Sequence, residues 1–353
     1  MIGSIQTEIV QRLTESESSA VKYSMGSSTE NSCRSSGRRF RTETSSFRNF
    51  STSSDSQEKW DRPLERGLNQ AYLERRYEDA IALIDQVDRD QILQEIKDQF
   101  EEFLIGKERE EEPSKEALIQ AYINQYAELY RAAIAQGFDY KKACSLALLN
   151  RPEEALELYS HLETIEDLPL SNDVLLSGGL FYLQAGEVEK AAAEFWKMEE
   201  MDTEEILILA VLGQKLGQDF LQGADNDCLV DSLIQSGKYR EAIEELKRII
   251  SNLKSDEFYP GLHQETIASK LAQISFCHAM LGEWEESTAK MKEAAELDLG
   301  PDVVFAQAVL SLLEGDWSGA EEAEKHRMDI FGGPYEPHIP LLLTIKFFEN
   351  FKE

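Results

Sequence analysis

The sequence predicts an all-α protein built from repeated helical hairpins. Three observations predict it. From about Trp60 onward apolar residues recur at helical spacing, beginning with Leu64, Leu68, Ala71 and Tyr72. Alternation of period two, the mark of half-buried strands, is nearly absent. One ten-residue pattern recurs six times, and internal repetition of this kind signals stacked helical units.

Taken in order, the chain of 353 residues opens on a segment unlike the rest: its first 60 residues hold 16 Ser and 6 Thr. Apolar residues there are sparse and unperiodic after Leu13, too few to offset the entropy of ordering. Residues 1–58 are therefore expected to be a disordered Ser/Thr-rich tail, with at most a short helix near Ile5 to Leu13. Beyond it, breaks are expected around Gly106 to Pro113, Gly137, Pro169 to Asn172, Gly213 to Gly223, Tyr259 to Gly261, Gly300-Pro301 and Gly332 to Pro340. They divide the chain into helices of about 10–18 residues.

The six repeats begin at Arg75, Asn150, Gly186, Gly237, Gly282 and Gly315. In each, a Gly or polar residue ends one helix, where a positive φ costs Gly little. A bulky residue follows two positions later: Tyr77, Pro152, Val188, Tyr239, Trp284 or Trp317. Three further on stands a small residue: Ala80, Ala155, Ala191, Ala242, Ser287 or Ala320. Small side chains let the two helices of a hairpin approach closely. Four residues later comes a large apolar side chain in Ile84, Tyr159, Phe195, Leu246 and Met291, with Glu324 the exception.

This pattern resembles the tetratricopeptide repeat (TPR) family over about Trp60 to Asp329. Gly179 and Tyr182 fall where that family places a Gly and an aromatic in its first helix, and Ala294 to Pro301 resembles its usual ending. The resemblance implies a right-handed superhelical α-solenoid of about 6–8 antiparallel helix pairs over 59–331, with 332–353 as a capping or docking helix. Successive small residues are 75, 36, 51, 45 and 33 apart, against about 34 for the family. The gap of 75 is read as hiding a degenerate hairpin through Ala117 to Ala135. The family's concave groove is lined by the first helix of each pair. Carried over, that register puts Tyr72, Tyr140, Leu176, Leu180, Asp227, Asp231, Phe276, Phe305 and Val309 in a partner-binding groove. Of the Lys, Arg and Asn types that clamp a chaperone's C-terminal carboxylate in one subfamily, this register supplies only Arg62 and Asn69, which disfavours that ligand.

Charge narrows the partners. Lys plus Arg number 36 and Asp plus Glu 67, a net charge of −31, which argues against nucleic acid and anionic membrane surfaces. Met1 to Arg62 carries 9 basic and 8 acidic residues, so the rest carries −32. The partner is expected to be a protein with basic or apolar segments, within a multi-subunit complex or outside one. The longest apolar run, Ile206 to Leu212, is far short of the roughly 20 residues of a membrane helix, so no direct membrane insertion is expected. A secretory signal is not legible at the N-terminus, and four scattered cysteines suit a reducing compartment, so the expected location is cytoplasmic.

No catalytic or nucleotide-binding motif is found, no His or Cys pair has metal-ligand spacing, and neither enzyme activity nor a cofactor is expected. The function implied is that of a scaffold or adaptor. The alternatives are a subunit of a vesicle-coat or trafficking complex and a regulatory accessory subunit of an enzyme. In the tail, Arg39-Phe-Arg-Thr42 and Arg48-Asn-Phe-Ser51 have the spacing basophilic kinases read, making Thr42 and Ser51 candidate phosphorylation sites. The tail's basic centre, net +4 over Asn31 to Ser54, also suggests docking in cis over an acidic groove. Ile339 to Phe351 is too apolar for a free end and is expected either to pack back on the last repeat or to dock a partner subunit.

Overall fold

The computed structural model describes residues 64, 66–94, 113–164, 170–199, 201–221, 228–255, 263–331 and 337–351. Every regular element among them is a helix. These are α1 (66–73), α2 (Tyr77–Asp85), α3 (Pro113–Leu148), α4 (Pro152–Glu163), α5 (Asn172–Gln184), α6 (Val188–Phe195) and α7 (Thr203–Leu216). They continue with α8 (Leu229–Gln235), α9 (Tyr239–Lys254), α10 (Gln264–Met280), α11 (Trp284–Leu297), α12 (Pro301–Glu314), α13 (Trp317–Phe331) and α14 (Ile339–Asn350). The chain divides into two compact units, Met1–Gly67 with Arg89–Gly137, and Leu68–Asp88 with Phe138–Glu353. In the first, residues 89–94 and the start of α3 are helical, and Leu93, Ala133 and Ile134 are buried. All that follows concerns the second unless stated. The tail read at 1–58 lies outside the described residues.

Six hairpin turns share one geometry. Their closing residues Arg75, Asn150, Gly186, Gly237, Gly282 and Gly315 all have left-handed φ, between 56° and 82°. In each turn the next residue donates its N–H to the carbonyl five residues back: Arg76 to Ala71, Arg151 to Leu146, Glu187 to Tyr182, Lys238 to Leu233, Glu283 to His278 and Asp316 to Ser311, at 2.7–3.0 Å. This bond satisfies a carbonyl that the helix end leaves open and fixes the direction of the returning chain. The following helix then starts at once, its first turn bonding Ala80, Ala155, Ala191, Ala242, Ser287 and Ala320 to the carbonyls four residues earlier.

Those six small residues are all 0–2% exposed. Ser287 stands in for Ala because its hydroxyl lies 3.0 Å from Ser275 Oγ, which also donates to the Ser287 carbonyl at 2.7 Å. The large residues four positions later are buried as well. On α5 the packing requires glycine. A Cβ on Gly178 would lie 2.2 Å from Tyr159 Cζ, and one on Gly179 2.0 Å from Phe195 Cε1. The bulky side chains of α4 and α6 thus enter α5 where it has no side chain.

Successive first helices are joined by polar rungs. The Tyr72 hydroxyl lies 2.9 Å from the Lys141 carbonyl and 2.8 Å from Ser145 Oγ. Tyr140 repeats the motif one interface on, 3.4 Å from the Asp173 carbonyl and 3.0 Å from Ser177 Oγ. Thr203 donates to Asp231 at 3.1 Å between α7 and α8, and Ser269 to Asp302 at 2.7 Å between α10 and α12.

Two expectations are corrected. Gly137 does not break the chain, and Ala117 to Ala135 is no hairpin: α3 runs unbroken for 36 residues. One interior Gly costs a helix only about 1 kcal/mol relative to Ala, and the Ala- and Leu-rich flanks with buried Phe138 and Ala143 to Leu148 outweigh it.

Two glycine substitutions should separate the constraints. At Gly237, where an added Cβ meets nothing within 4 Å, Ala should cost about 1–2 kcal/mol through the left-handed backbone alone. At Gly179, Ala should cost about 3 kcal/mol or more through overpacking against Phe195. Urea denaturation of the two variants beside wild type checks the order.

Candidate functional site

The structure places most sequence-derived groove residues in the interior. Leu176, Leu180, Phe276, Phe305 and Val309 are at most 2% exposed, and Tyr72 is 3% exposed. Tyr140 and Asp231 are half-buried in the polar rungs described above. Asp227, Thr42 and Ser51 lie outside the described residues.

Over α5 and α13, and against Phe305 of α12, lies α14. It packs on α5, more than 150 residues upstream, more extensively than on α13, its neighbour in sequence. Ile339, Pro340, Leu341, Leu343, Thr344, Ile345, Phe347 and Phe348 are buried. Phe348 stacks on Trp317 at 5.3 Å between ring centroids, and Phe305 meets the His338 ring at 5.0 Å. Of the two readings of this stretch, packing back describes the molecule, but onto the middle of the chain as well as the last hairpin.

The start of α14 is held by ionic groups. Glu324, the exception to the repeat pattern, is 2% exposed. Its carboxylate accepts from Arg327 Nε at 2.7 Å and Nη2 at 2.8 Å, and from the backbone N–H of His338 at 2.8 Å. The His338 imidazole faces two ways: Nδ1 accepts the Leu341 N–H at 3.1 Å, capping α14, while Nε2 lies 3.0 Å from Glu204 Oε2. Burial raises the Glu204 carboxyl, but the His338 contact outweighs it and leaves its pKa lowered. Beside it, a capping box starts α7: Asp202 Oδ1 accepts the Glu205 N–H, and Glu205 Oε2 accepts the Asp202 N–H, both at 2.9 Å. Asn172 of α5 donates to the same Glu205 oxygen at 3.1 Å. Burial, then the Asp202 carboxylate, push the Glu205 carboxyl up to about 7.

Alongside this cluster lies an open cleft of about 480 Å³. Tyr72, Leu73, Arg75 and Tyr77 form one wall, α13 supplies Glu321, Glu322, Lys325, Met328 and Asp329, and Leu342 of α14 contributes an apolar surface. Arg75 pairs with Glu321 and lies 3.9 Å from Glu349. A second cleft, on α8 and α9, is bounded by Leu229 and Leu233 with Arg240, Glu241, Glu244, Glu245 and Arg248. Leu229 there is 57% exposed.

Among the described residues no group of three or more His, Cys, Asp or Glu is placed to hold a metal ion, and no helix is long and apolar enough to cross a membrane. Cys144, Cys228 and Cys277 are free, and burial pushes the Cys277 thiol up to about 12. Of the site residues, Tyr72 was visible in the repeat register. Glu324, Arg327, His338 and Glu204 were not assigned, although a charged residue at a repeat position otherwise apolar was the available signal. Comparison of the chain with protein-family models, with curated proteins and with solved structures finds no match.

Two tests follow from this geometry. A raised Glu205 pKa means that the folded chain keeps a proton the unfolded chain has lost between its ordinary 4.5 and about 7. Stability should therefore fall as pH rises through that window. Glu205→Gln, which can still complete the capping box, should flatten this dependence and gain about 1–2 kcal/mol over wild type at pH 8 after allowance for solvent screening. Thermal melts from pH 5 to 8 read it. Arg327→Met alone should cost about 3–5 kcal/mol by stranding the Glu324 charge, and Glu324→Leu added to it should recover most of that loss in the same melts.

Proposed function

We propose that the chain is a non-enzymatic protein-interaction scaffold of the cytoplasm, a tetratricopeptide-like superhelical array of helix pairs that holds a protein partner. The six turns of one geometry, each closing a pair of tightly packed helices, support the array reading. The cysteines among the described residues, Cys144, Cys228 and Cys277, are free, which suits a reducing compartment.

The observation that carries the binding role is the cleft beside Tyr72. Its accessible apolar surface comes from Leu73 and Leu342, over the largely buried Tyr72, Tyr77 and Met328, and it is edged by Glu321, Glu322 and Asp329 with Arg75 and Lys325. Apolar area gives affinity, and edge charges select the partner and speed its arrival. With a net charge of −31 on the chain, the partner that fits presents apolar side chains flanked by Lys or Arg.

The test is affinity capture of the full chain from cell extract. A protein retained in stoichiometric amount by wild type should fall about tenfold or more with Glu322→Lys/Asp329→Lys, as expected for edge charges in an interface. Glu285→Lys, exposed on α11, should leave retention unchanged. Retention of nothing, or equal retention by wild type and the double variant, overturns the reading.

A further inference from the structure

We propose that α14 is an internal ligand: the face formed by α5, α12 and α13 is a helix-receiving site, and this chain's own segment 337–351 fills it.

Each receiving pair closes its own turn without help from α14. The pairs α5–α6 and α12–α13 are each closed by their own left-handed residue, turn hydrogen bond and buried small residue. Against them α14 stands as an added helix. It is buried on most of its circumference, and its remaining face carries Leu342, Lys346, Glu349 and Asn350, with Lys346 paired to Glu349.

Both its ends are gripped by groups distant in sequence. At the start, Glu204 of α7 meets the His338 ring, and Glu324 accepts the His338 N–H. At the end, Asn350 donates to the Asn150 side chain at 2.5 Å, and Glu349 lies near Arg75.

The receiving face also carries an adaptation to this segment. Five hairpins put an apolar side chain four residues after the small one, and the sixth puts Glu324 there. A buried carboxylate is costly unless its acceptor capacity is met. Here Arg327 and the main chain of residue 338 meet it. The last hairpin is thus shaped to hold the start of an incoming helix through its backbone, a contact any helix in that position could make. The proposal does not rest on the partner assigned to the cleft beside Tyr72, although Leu342 of α14 forms part of that cleft's wall.

The test uses the full chain with α14 disabled by Leu343→Glu/Phe347→Glu, and a fluorescein-labelled synthetic peptide of residues 337–353 as probe. The variant should bind the peptide one to one, about 100-fold more tightly than wild type, whose site is already filled by a tethered competitor. A peptide carrying the same two substitutions should not bind. If the variant loses helical circular dichroism, the unmodified peptide should restore it. Absence of peptide binding or of restoration, or equal binding by variant and wild type, overturns the proposal. Failure to capture a protein partner does not bear on this measurement.

Discussion

The left-handed residue that closes each hairpin is the constraint on which the rest of the fold depends. A helix end leaves carbonyls without partners, and the turn N–H reaching back five residues meets one of them while reversing the chain. Because the reversal takes so few residues, the second helix starts beside the first, and the residue facing it in the first turn must be small. Ala80, Ala155, Ala191, Ala242, Ser287 and Ala320 are the consequence, and Tyr159 and Phe195 then reach the neighbouring α5 only because Gly178 and Gly179 make room. Four turns use Gly at the left-handed position and two use Arg75 and Asn150. Those two accept a backbone cost that Gly would avoid. Both side chains also reach the end of α14, Arg75 toward Glu349 and Asn150 to Asn350.

Electrostatics divides between surface and interior. The exposed faces carry many pairs three residues apart, among them Arg151–Glu154, Lys247–Glu244, Arg248–Glu245 and Lys290–Glu293. Such pairs add little stability in water. Among the described residues the buried ionic groups are few and include Glu194 with Tyr159 and Lys197, Glu205 in its capping box, Lys141, and Glu324 with Arg327. A buried pair specifies one arrangement more than it strengthens it, because removing either partner leaves a charge without solvent. In the last hairpin that specificity is directed at the start of α14.

Much of the hairpin grammar was legible before the coordinates. Spacing alone identified the closing residue and the small residue of all six turns and the large residue of five, because each is dictated by local geometry within ten positions. Gly137 was misread for the opposite reason: a single residue's propensity is worth about 1 kcal/mol, and the burial of its flanks, which outweighs it, is a tertiary quantity. The inner-face register suffered similarly. It assigned residues such as Leu176 and Phe305 to a partner-binding groove, whereas they are buried; nothing local states what they face, and α14 begins more than 150 residues after α5. Glu324 was the one departure from pattern that sequence could have tied to that helix, since a carboxylate in an apolar position needs donors from somewhere.

An array whose hairpins touch only their neighbours behaves as a one-dimensional chain: its terminal units fray first, and damage at one end is not felt at the other. Here the last helix joins groups at residues 75, 150, 204 and 324. No terminal unit can detach without breaking contacts in the middle, and opening the chain anywhere between those points also loosens α14. Residues 68–88 and 138–351 should therefore melt as one cooperative block, with the last twelve-residue helix acting as the tie rod that gives a modular sequence a single folding transition.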